Sequence, residues 1–411
     1  MATKAIIVTT GYLDSSVEEL QSLLATLGVT VSEVLWQGRR KPDRKYYLGK
    51  GKMETLAKLI DLTESNLVVV NDEITSTQAK KMEELLKVSI KDRTQVVLDI
   101  FARHAFTEDG KIQVELARLQ YELPRLIGRG KEMSRLGGGT GTRGPGEQRL
   151  EEQRRQIKKR ISVLRKNLDR IEKERDIQRN LRNKVGLPSV AVAGYTNAGK
   201  SSLVNVLSGS QVHVENEPFA TLSPAIRRVK LPMGRVILIK DTVGFIRNVP
   251  HTVVEAFKST LEEITTCDLV LLVMDASDVD ISSKMKACLD VLSEIGASDI
   301  RRILVFNKVD LCSSSRLRAL SDAFPEAVFI SCKSGCGIDF LLGRIQNTIL
   351  ANEDQIELRV VPDKLSILES HKEKVSMNIE GFEEGLFIVK VKGKKWLIEH
   401  ILSQLDGGMK K

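Results

Sequence analysis

The chain has 411 residues, 42% of them hydrophobic and 28% charged, with a formal net charge of +9 at pH 7. That length exceeds one ordinary hydrophobic core and predicts roughly two to four domains. No stretch comes near the roughly 18 uninterrupted apolar residues of a membrane span, and the opening MATKAIIVTTGYLDSS is neither a signal peptide nor an Arg-rich presequence. The expectation is a cytoplasmic chain without stable membrane insertion.

Residues 1–105 alternate apolar runs with helical patterns. AIIVTT, VTVSEVLWQ, NLVVVND and TQVVLDIFA are the apolar runs, separated by SSVEELQSLLATLG, KMETLAKLIDLT and TSTQAKKMEELLKV. This predicts a small α/β domain with a mostly parallel sheet. Gly49 and Gly51 in YYLGKGKMETL suit a loop-to-helix junction; a phosphate site would rest on that short glycine pair alone.

Residues 106–185 carry two apolar stripes. Ile112, Leu116, Leu119, Leu123 and Leu126 step by 4, 3, 4 and 3, while Leu150, Ile157, Ile161, Leu164, Leu168 and Ile171 step by 7, 4, 3, 4 and 3. Two such heptad seams on charged helices bury each other as an antiparallel coiled-coil hairpin, with Pro124 expected to kink or loosen the first. Between them lies LGGGTGTRGPG, with six glycines in eleven residues. From Arg125 to Lys184 there are nineteen basic and eight acidic residues, so this segment carries the whole positive excess of the chain. A basic arm with a glycine-rich tip points to a nucleic-acid partner, because bare amides and cations approach phosphates closely. The candidate RNA contacts are Arg129, Lys131, Arg135, Gly137, Gly138, Gly139, Gly141 and Arg143; the alternative is a disordered connector.

Residues 186–352 form the most informative segment. An apolar strand, Val190–Ala193, runs into Gly194-Tyr195-Thr196-Asn197-Ala198-Gly199-Lys200-Ser201 and then a helical pattern beginning with Ser202, the G-x-x-x-x-G-K-S phosphate loop in its strand–loop–helix context. Backbone amides there cradle phosphates, Lys200 neutralises β/γ charge and the Ser201 hydroxyl ligates Mg²⁺. A second strand, Val236–Ile239, leads to Asp241-Thr-Val-Gly244, where Asp241 suits Mg²⁺ and the Gly244 amide suits the γ-phosphate. A third strand is expected at Leu269–Met274. A fourth, Ile303–Phe306, ends in Asn307-Lys308-Val309-Asp310, and a fifth, Ala327–Ile330, in Ser331-Cys332-Lys333. A carboxylate at Asp310 accepts from guanine N1–H and its 2-amino group, which adenine cannot match, so leaving it buried and unpaired should discriminate by several kcal/mol in order of magnitude. The Cys332 amide suits guanine O6. Pro218–Pro224, with Phe219 and Thr221, is the expected mobile loop, Thr221 completing the Mg²⁺ shell. These motifs predict a GTPase with Lys200, Thr221 and Gly244 at its catalytic centre. Phe245 stands where small GTPases carry a water-orienting glutamine, which predicts slow intrinsic hydrolysis completed by a partner. Asn197 is a candidate ligand for a K⁺ ion beside the phosphates.

From about Ile356 onward, alternation and a closing helical pattern predict an α+β module, within a division at 1–105, 106–185, 186–352 and 353–411. The five cysteines, Cys267, Cys288, Cys312, Cys332 and Cys336, are odd in number and scattered, arguing against a disulfide framework. Cys332 and Cys336 have no second pair of ligands to form a metal site, and the five histidines include no ligand-spaced pair.

Taken together, GYTNAGKSSL, FATLSP, DTVGFIRNVPHTVVEAFKSTLEE and NKVD, preceded by DRTQVVLDIFARHA and SRLGGGTGTRGPGEQRLEEQRRQIKKRI, resemble the HflX GTPases of the Obg–HflX superfamily. The resemblance implies a translational GTPase that binds GTP and GDP and associates with the large ribosomal subunit and its rRNA, its hairpin loop approaching the peptidyl-transferase centre. In some members this separates stalled or idle ribosomes, and an ATPase activity is attributed to the N-terminal part. A monomer without a DNA partner is expected. Ser223, Ala225 and Ile226 depart from the family's usual Asp-Pro-Thr-Thr stretch, and Cys332 replaces its common alanine. The alternatives are a ribosome-assembly GTPase without splitting activity and an RNA-remodelling ATPase or GTPase; the ending SQLDGGMKK lacks the terminal cysteine motif of K⁺-dependent tRNA-modification GTPases.

Overall fold

A computed structural model of the chain describes residues 3–10, 15–38, 41–136, 145–209, 226–247, 261, 263–351 and 353–406, with the backbone alone for helical residues 127–136, 145–149, 175–176, 178–185 and 406. These residues divide into two compact units, one built on the chain up to Glu172 and the other on the chain from Lys173.

The first unit starts with β1 (Lys4–Thr10), α1 (Ser15–Thr26), β2 (Thr30–Gln37), α2 (Lys50–Thr63), β3 (Leu67–Val70), α3 (Ser76–Leu86), β4 (Ser89–Asp92) and α4 (Arg93–His104). The strands form an all-parallel sheet in the order β2-β1-β3-β4. β1 and β3 are buried on both faces, since helices cover both sides of the sheet. Gly49 sits at the N-cap of α2, a loop-to-helix junction.

TQVVLDIFA is helical, a correction to the expected apolar run. The strand is SIKD, and Asp92 at its end caps α4 by accepting from Gln95 N–H at 3.0 Å while the Gln95 side chain accepts from Asp92 N–H. Val96, Val97, Ile100 and Phe101 then line one buried face at helical spacing.

Helices α5 (Glu108–Leu136) and α6 (Pro145–Val185) follow. Leu116, Ile161 and Leu164 form an apolar cluster packed by Ile112, Leu119, Leu123, Ile157 and Leu168. The two stripes therefore meet, with Leu126, Leu150 and Ile171 only half-buried outside the cluster. α5 stays helical past Pro124. Asp92, fully buried, anchors α5 by accepting from the Tyr121 hydroxyl and the Arg125 guanidinium. Burial, then the Asp92 charge, push the Tyr121 phenol far above its usual pKa, keeping it a donor. Part of the arm's positive excess is neutralised internally, since Arg125 pairs with Asp92 and Arg160 with Glu115.

In the second unit, β5 (Ser189–Gly194), α7 (Lys200–Ser208), β6 (Ile226–Lys230), β7 (Val236–Asp241), β8 (Leu269–Asp275), α8 (Ile281–Glu294), β9 (Arg302–Asn307), α9 (Ser314–Ala323), β10 (Val328–Phe329) and α10 (Ile338–Leu350) build a doubly wound sheet. Its order is β10-β9-β8-β5-β7-β6. All pairings are parallel except β6 with β7, and β6 was not among the expected strands: IRRVK is a mostly polar edge strand with one buried residue, Val229. β11 (Asp354–Val360), α11 (Leu365–Ser370), β12 (Ser376–Glu383), β13 (Leu386–Gly393) and α12 (Lys395–Asp406) form the α+β module, with an antiparallel sheet ordered β11-β13-β12. No helix among the described residues is long and apolar enough to cross a membrane.

Where this module begins, the Arg235 guanidinium, 1% exposed, engages both carboxylate oxygens of Glu353. Removing one member of such a pair strands a buried charge. Glu353→Ala should cost about 3–5 kcal/mol in urea denaturation, and Arg235→Met with Glu353→Leu should recover most of it. Wild-type stability in the single variant would mean that Arg235 is readily rehydrated.

Candidate nucleotide site

At the C-terminal edge of the central sheet, β5 turns into residues 195–199 and then α7. Two glycines make this turn sterically allowed. Gly194 has φ 151°, and a Cβ there would lie 2.1 Å from the Val273 carbonyl oxygen. Gly199 has φ 87°, and a Cβ would lie 2.2 Å from Asn307 Nδ2. α7 starts at Lys200, so the amides of Lys200, Ser201 and Ser202 occupy its first turn, a place suited to phosphate oxygens. Lys200 is buried, and its Nζ donates to the Tyr195 carbonyl at 2.8 Å. Burial lowers its pKa to about 8, against the opposing pull of the Asp241 charge.

β7 delivers Asp241, 3% exposed, to the same edge. The next residues are stitched to β5 and the phosphate loop: Thr242 Oγ1 donates to the Val192 carbonyl at 2.8 Å, Phe245 N–H to Gly194 O at 3.0 Å and Thr196 N–H to Phe245 O at 2.8 Å. Gly244 is held against the lysine, since a Cβ there would lie 3.0 Å from Lys200 Nζ. The Phe245 ring is buried in the core with Tyr195.

At the far end, Asn307 is 2% exposed and works as a strut. Its Nδ2 donates to the Ala198 carbonyl at 3.0 Å, and its Oδ1 accepts from Cys332 N–H at 3.1 Å. The Cys332 amide, expected to face guanine O6, is thus engaged within the protein, and a guanine carbonyl would share its proton. Lys308 pairs with Asp275 at 2.7 Å. Asp310 accepts from the Ser331 hydroxyl at 2.5 Å, and Ser331 Oγ accepts in turn from Ser334 N–H. That hydroxyl, with Lys333 and Lys308, holds the Asp310 carboxyl below its usual pKa. The carboxylate is exposed.

The structure therefore brings together residues 194–202, Asp241, Gly244, Asn307, Lys308, Asp310, Ser331, Cys332 and Lys333 along one sheet edge. Asn197 adopts a left-handed φ of 59° in the loop. Phe219 and Thr221 lie outside the described residues, as do Gly137, Gly138, Gly139, Gly141 and Arg143, while Arg129, Lys131 and Arg135 fall on the backbone of α5. Sequence reasoning missed two features. One is the bridging role of Asn307, for which the motif's first position was the available sign. The other is the buried ion pair of Lys240 Nζ with Glu263 Oε2 at 2.8 Å, which carries no local pattern. The Ser201 hydroxyl and the buried Asp241 carboxylate are hard oxygen donors, the chemistry Mg²⁺ prefers.

This sheet, with its phosphate loop and base-side motif, defines a P-loop GTPase. Three family models match the chain: "GTP-binding GTPase N-terminal" over residues 14–102, "GTP-binding GTPase Middle Region" over 104–182 and "50S ribosome-binding GTPase" over 189–308. The GTPase HflX of Caldanaerobacter subterraneus subsp. tengcongensis is 43% identical over 92% of this chain and 87% of its own. That of Lacrimispora saccharolytica is 40% identical over 91% and 88%. Among solved structures, a GTP-binding protein from Sulfolobus solfataricus in complex with GDP is similar at 24% identity and a TM-score of 0.44, over 84% of this chain and 98% of its own. The chain belongs to the HflX family of GTPases, and GTP binding and hydrolysis are its chemistry.

The lowered pKa of Lys200 has a measurable sign. A bound polyphosphate favours the ammonium form and raises the pKa, so nucleotide binding takes up protons increasingly above pH 8. GTP affinity should be about threefold weaker at pH 8.5 than at pH 7.5, with proton uptake visible by calorimetry in buffers of different ionisation enthalpy. An affinity flat across this range would mean that the amine stays fully charged in the empty site.

Proposed function

We propose that the chain is a GTP-gated factor that attaches to the large ribosomal subunit, its basic hairpin contacting rRNA, and that it separates stalled or idle ribosomes into subunits. The observation that carries this reading is the burial of Phe245: the site offers no side chain at that position to orient the attacking water, so hydrolysis waits for a partner. The positive excess of the hairpin argues for a polyanionic partner, and the match to a family model described as a 50S ribosome-binding GTPase argues for the ribosome.

In this scheme the first-turn amides of α7 and Lys200 hold the β/γ-phosphates, and the Gly244 amide senses the γ-phosphate. Ser201 and Asp241, joined by Thr221, would hold Mg²⁺, which would supply positive charge to offset that developing on the transferred phosphoryl group. Asn197 remains the candidate for a K⁺ ion beside them. Asp310 reads the guanine N1–H and 2-amino group, with Ser331 presetting its orientation.

Sedimenting ribosomes with the protein tests attachment. With GTP or a non-hydrolysable analogue it should move with the large subunit, and intact ribosomes should shift toward free subunits. Equal capture of the empty, GDP-bound and GTP-bound forms would overturn the gated scheme; binding to large subunits with no loss of intact ribosomes would favour an assembly role. At the base, Asp310→Asn should weaken GTP at least tenfold and improve xanthosine triphosphate correspondingly, because the amide donates to the 2-oxo group that replaces the guanine amine. Unchanged GTP affinity would mean that the base lies elsewhere.

A further inference from the structure

The second unit carries a pocket of about 470 Å³ at the end of its sheet opposite the nucleotide site, where β9 begins. The pocket follows from a short neighbouring strand. β10 has two residues, and its register with β9 covers Val305 and Phe306 only, whereas β8 runs beside β9 from Arg302 to Asn307. Arg302, Ile303 and Leu304 therefore have a strand on one side and none on the other. Continued backward in the same register, β10 would set Pro325 against Arg302, and a proline cannot donate to that ladder.

Two further properties shape this slot. Phe324 ends α9, and its half-buried ring is fixed against the Phe306 ring at a centroid distance of 5.3 Å, so with Leu304 and Pro325 it forms a rigid apolar lining. The charged lining is Arg301, Arg302 and, on α10, Arg344, against one carboxylate, Glu326. The Arg301 and Arg302 side chains are exposed and have no hydrogen bond or ion pair among the described residues. Arg344 pairs with Glu326 at 2.6 Å, but the Glu326 side chain is 88% exposed, so that pair is weak and readily exchanged.

Inorganic phosphate would use the guanidinium groups alone, and an apolar strand would leave them uncompensated. RNA phosphates would meet the cations but offer nothing to a strand edge. An acidic peptide in extended form meets all three demands, because its backbone can pair along β9 while alternate side chains supply carboxylates and an apolar group. We propose that this slot docks an acidic peptide segment of a protein partner, which lies extended beside Arg302–Leu304 with an apolar side chain against Phe324 and carboxylates on Arg301, Arg302 and Arg344. This adds a partner surface to the GTPase domain, apart from the nucleotide site and the hairpin, and does not depend on ribosome attachment.

The test uses the full chain saturated with GDP and a set of fluorescent peptides of about eight residues, alternating glutamate or aspartate with leucine, valine or phenylalanine, followed by anisotropy. The best of the set should bind with Kd below about 200 μM, and its lysine-substituted counterpart should not. Arg301→Ala with Arg302→Ala and Arg344→Ala should weaken binding more than about tenfold. A control triple of exposed cations of the same unit outside the slot, Lys230→Ala with Lys286→Ala and Lys395→Ala, removes the same charge and should cost less than about threefold. N-methylating the even or the odd peptide amides leaves every charge in place; one series should lose about five- to tenfold and the other much less, because only alternate amides face β9. GDP affinity should be unaltered throughout. The proposal is overturned if no peptide reaches that affinity, or if the two triples lose equally, which would mean diffuse attraction. It is overturned also if both methylated series bind like the parent, which would reduce the slot to an anion patch, or if a single-stranded oligoribonucleotide displaces the peptide at equal affinity, which would make RNA the occupant.

Discussion

The nucleotide site depends on one amide side chain. Asn307 donates to the phosphate loop at Ala198 and accepts from Cys332 in the loop after β10, tying the phosphate end to the base end through a group that is 2% exposed. Both hydrogen bonds are made where water cannot replace them, so losing either leaves a buried polar group unsatisfied, at about 1–3 kcal/mol. The close approach also explains Gly199, because any side chain there would overlap the Asn307 amide. The glycine serves packing within the protein as much as access to phosphate. Asp310 then hangs from the same frame through Ser331, itself fully buried, so its carboxylate is held in one orientation.

A second set of constraints runs along β7. The Phe245 backbone zips the Asp241–Gly244 segment to the phosphate loop, while its ring packs beside Tyr195 in the core. One residue before Asp241, Lys240 points to the opposite side of the strand and pairs with Glu263, both about 5% exposed. Buried pairs of this kind add little net stability against an apolar substitute, yet breaking one is expensive. The strand carrying the proposed Mg²⁺ ligand is thus anchored by an ion pair at Lys240, and the segment after it is tied to the phosphate loop.

The hairpin shows how far net charge can mislead as a guide to a binding surface. Its positive excess is real, but Arg125 is consumed by the buried Asp92, where it also stacks on the Tyr121 ring, and Arg160 by Glu115. The cations left over are distributed by helical spacing, and Lys158, Arg165 and Lys166 gather at the level of Pro124. Proline was expected to disturb the helix there. Instead the seam, with Leu119 and Leu123 packed against α6 residues, keeps α5 helical. Tertiary packing outweighs the local cost of one lost hydrogen bond.

Short-range patterns were sufficient for much of this molecule. The strand–loop–helix around Gly194–Ser201, the seams of α5 and α6, the parallel α/β class and the family all follow from spacings within a few tens of residues, because backbone period and turn chemistry are local properties. TQVVLDIFA misled because β-branched and apolar residues at helical spacing resemble a buried strand until the Asp92–Gln95 capping box is weighed, and polar IRRVK hid an edge strand that needs one buried residue only. The sequence could not say which partners Asn307 would take 109 positions away, that Arg235 would find Glu353 across 118, or that Phe245 would turn into the core. Those pairings are decided by which groups the sheet order brings within about 3 Å once water is excluded, and buried polar atoms then accept the partners that geometry leaves them.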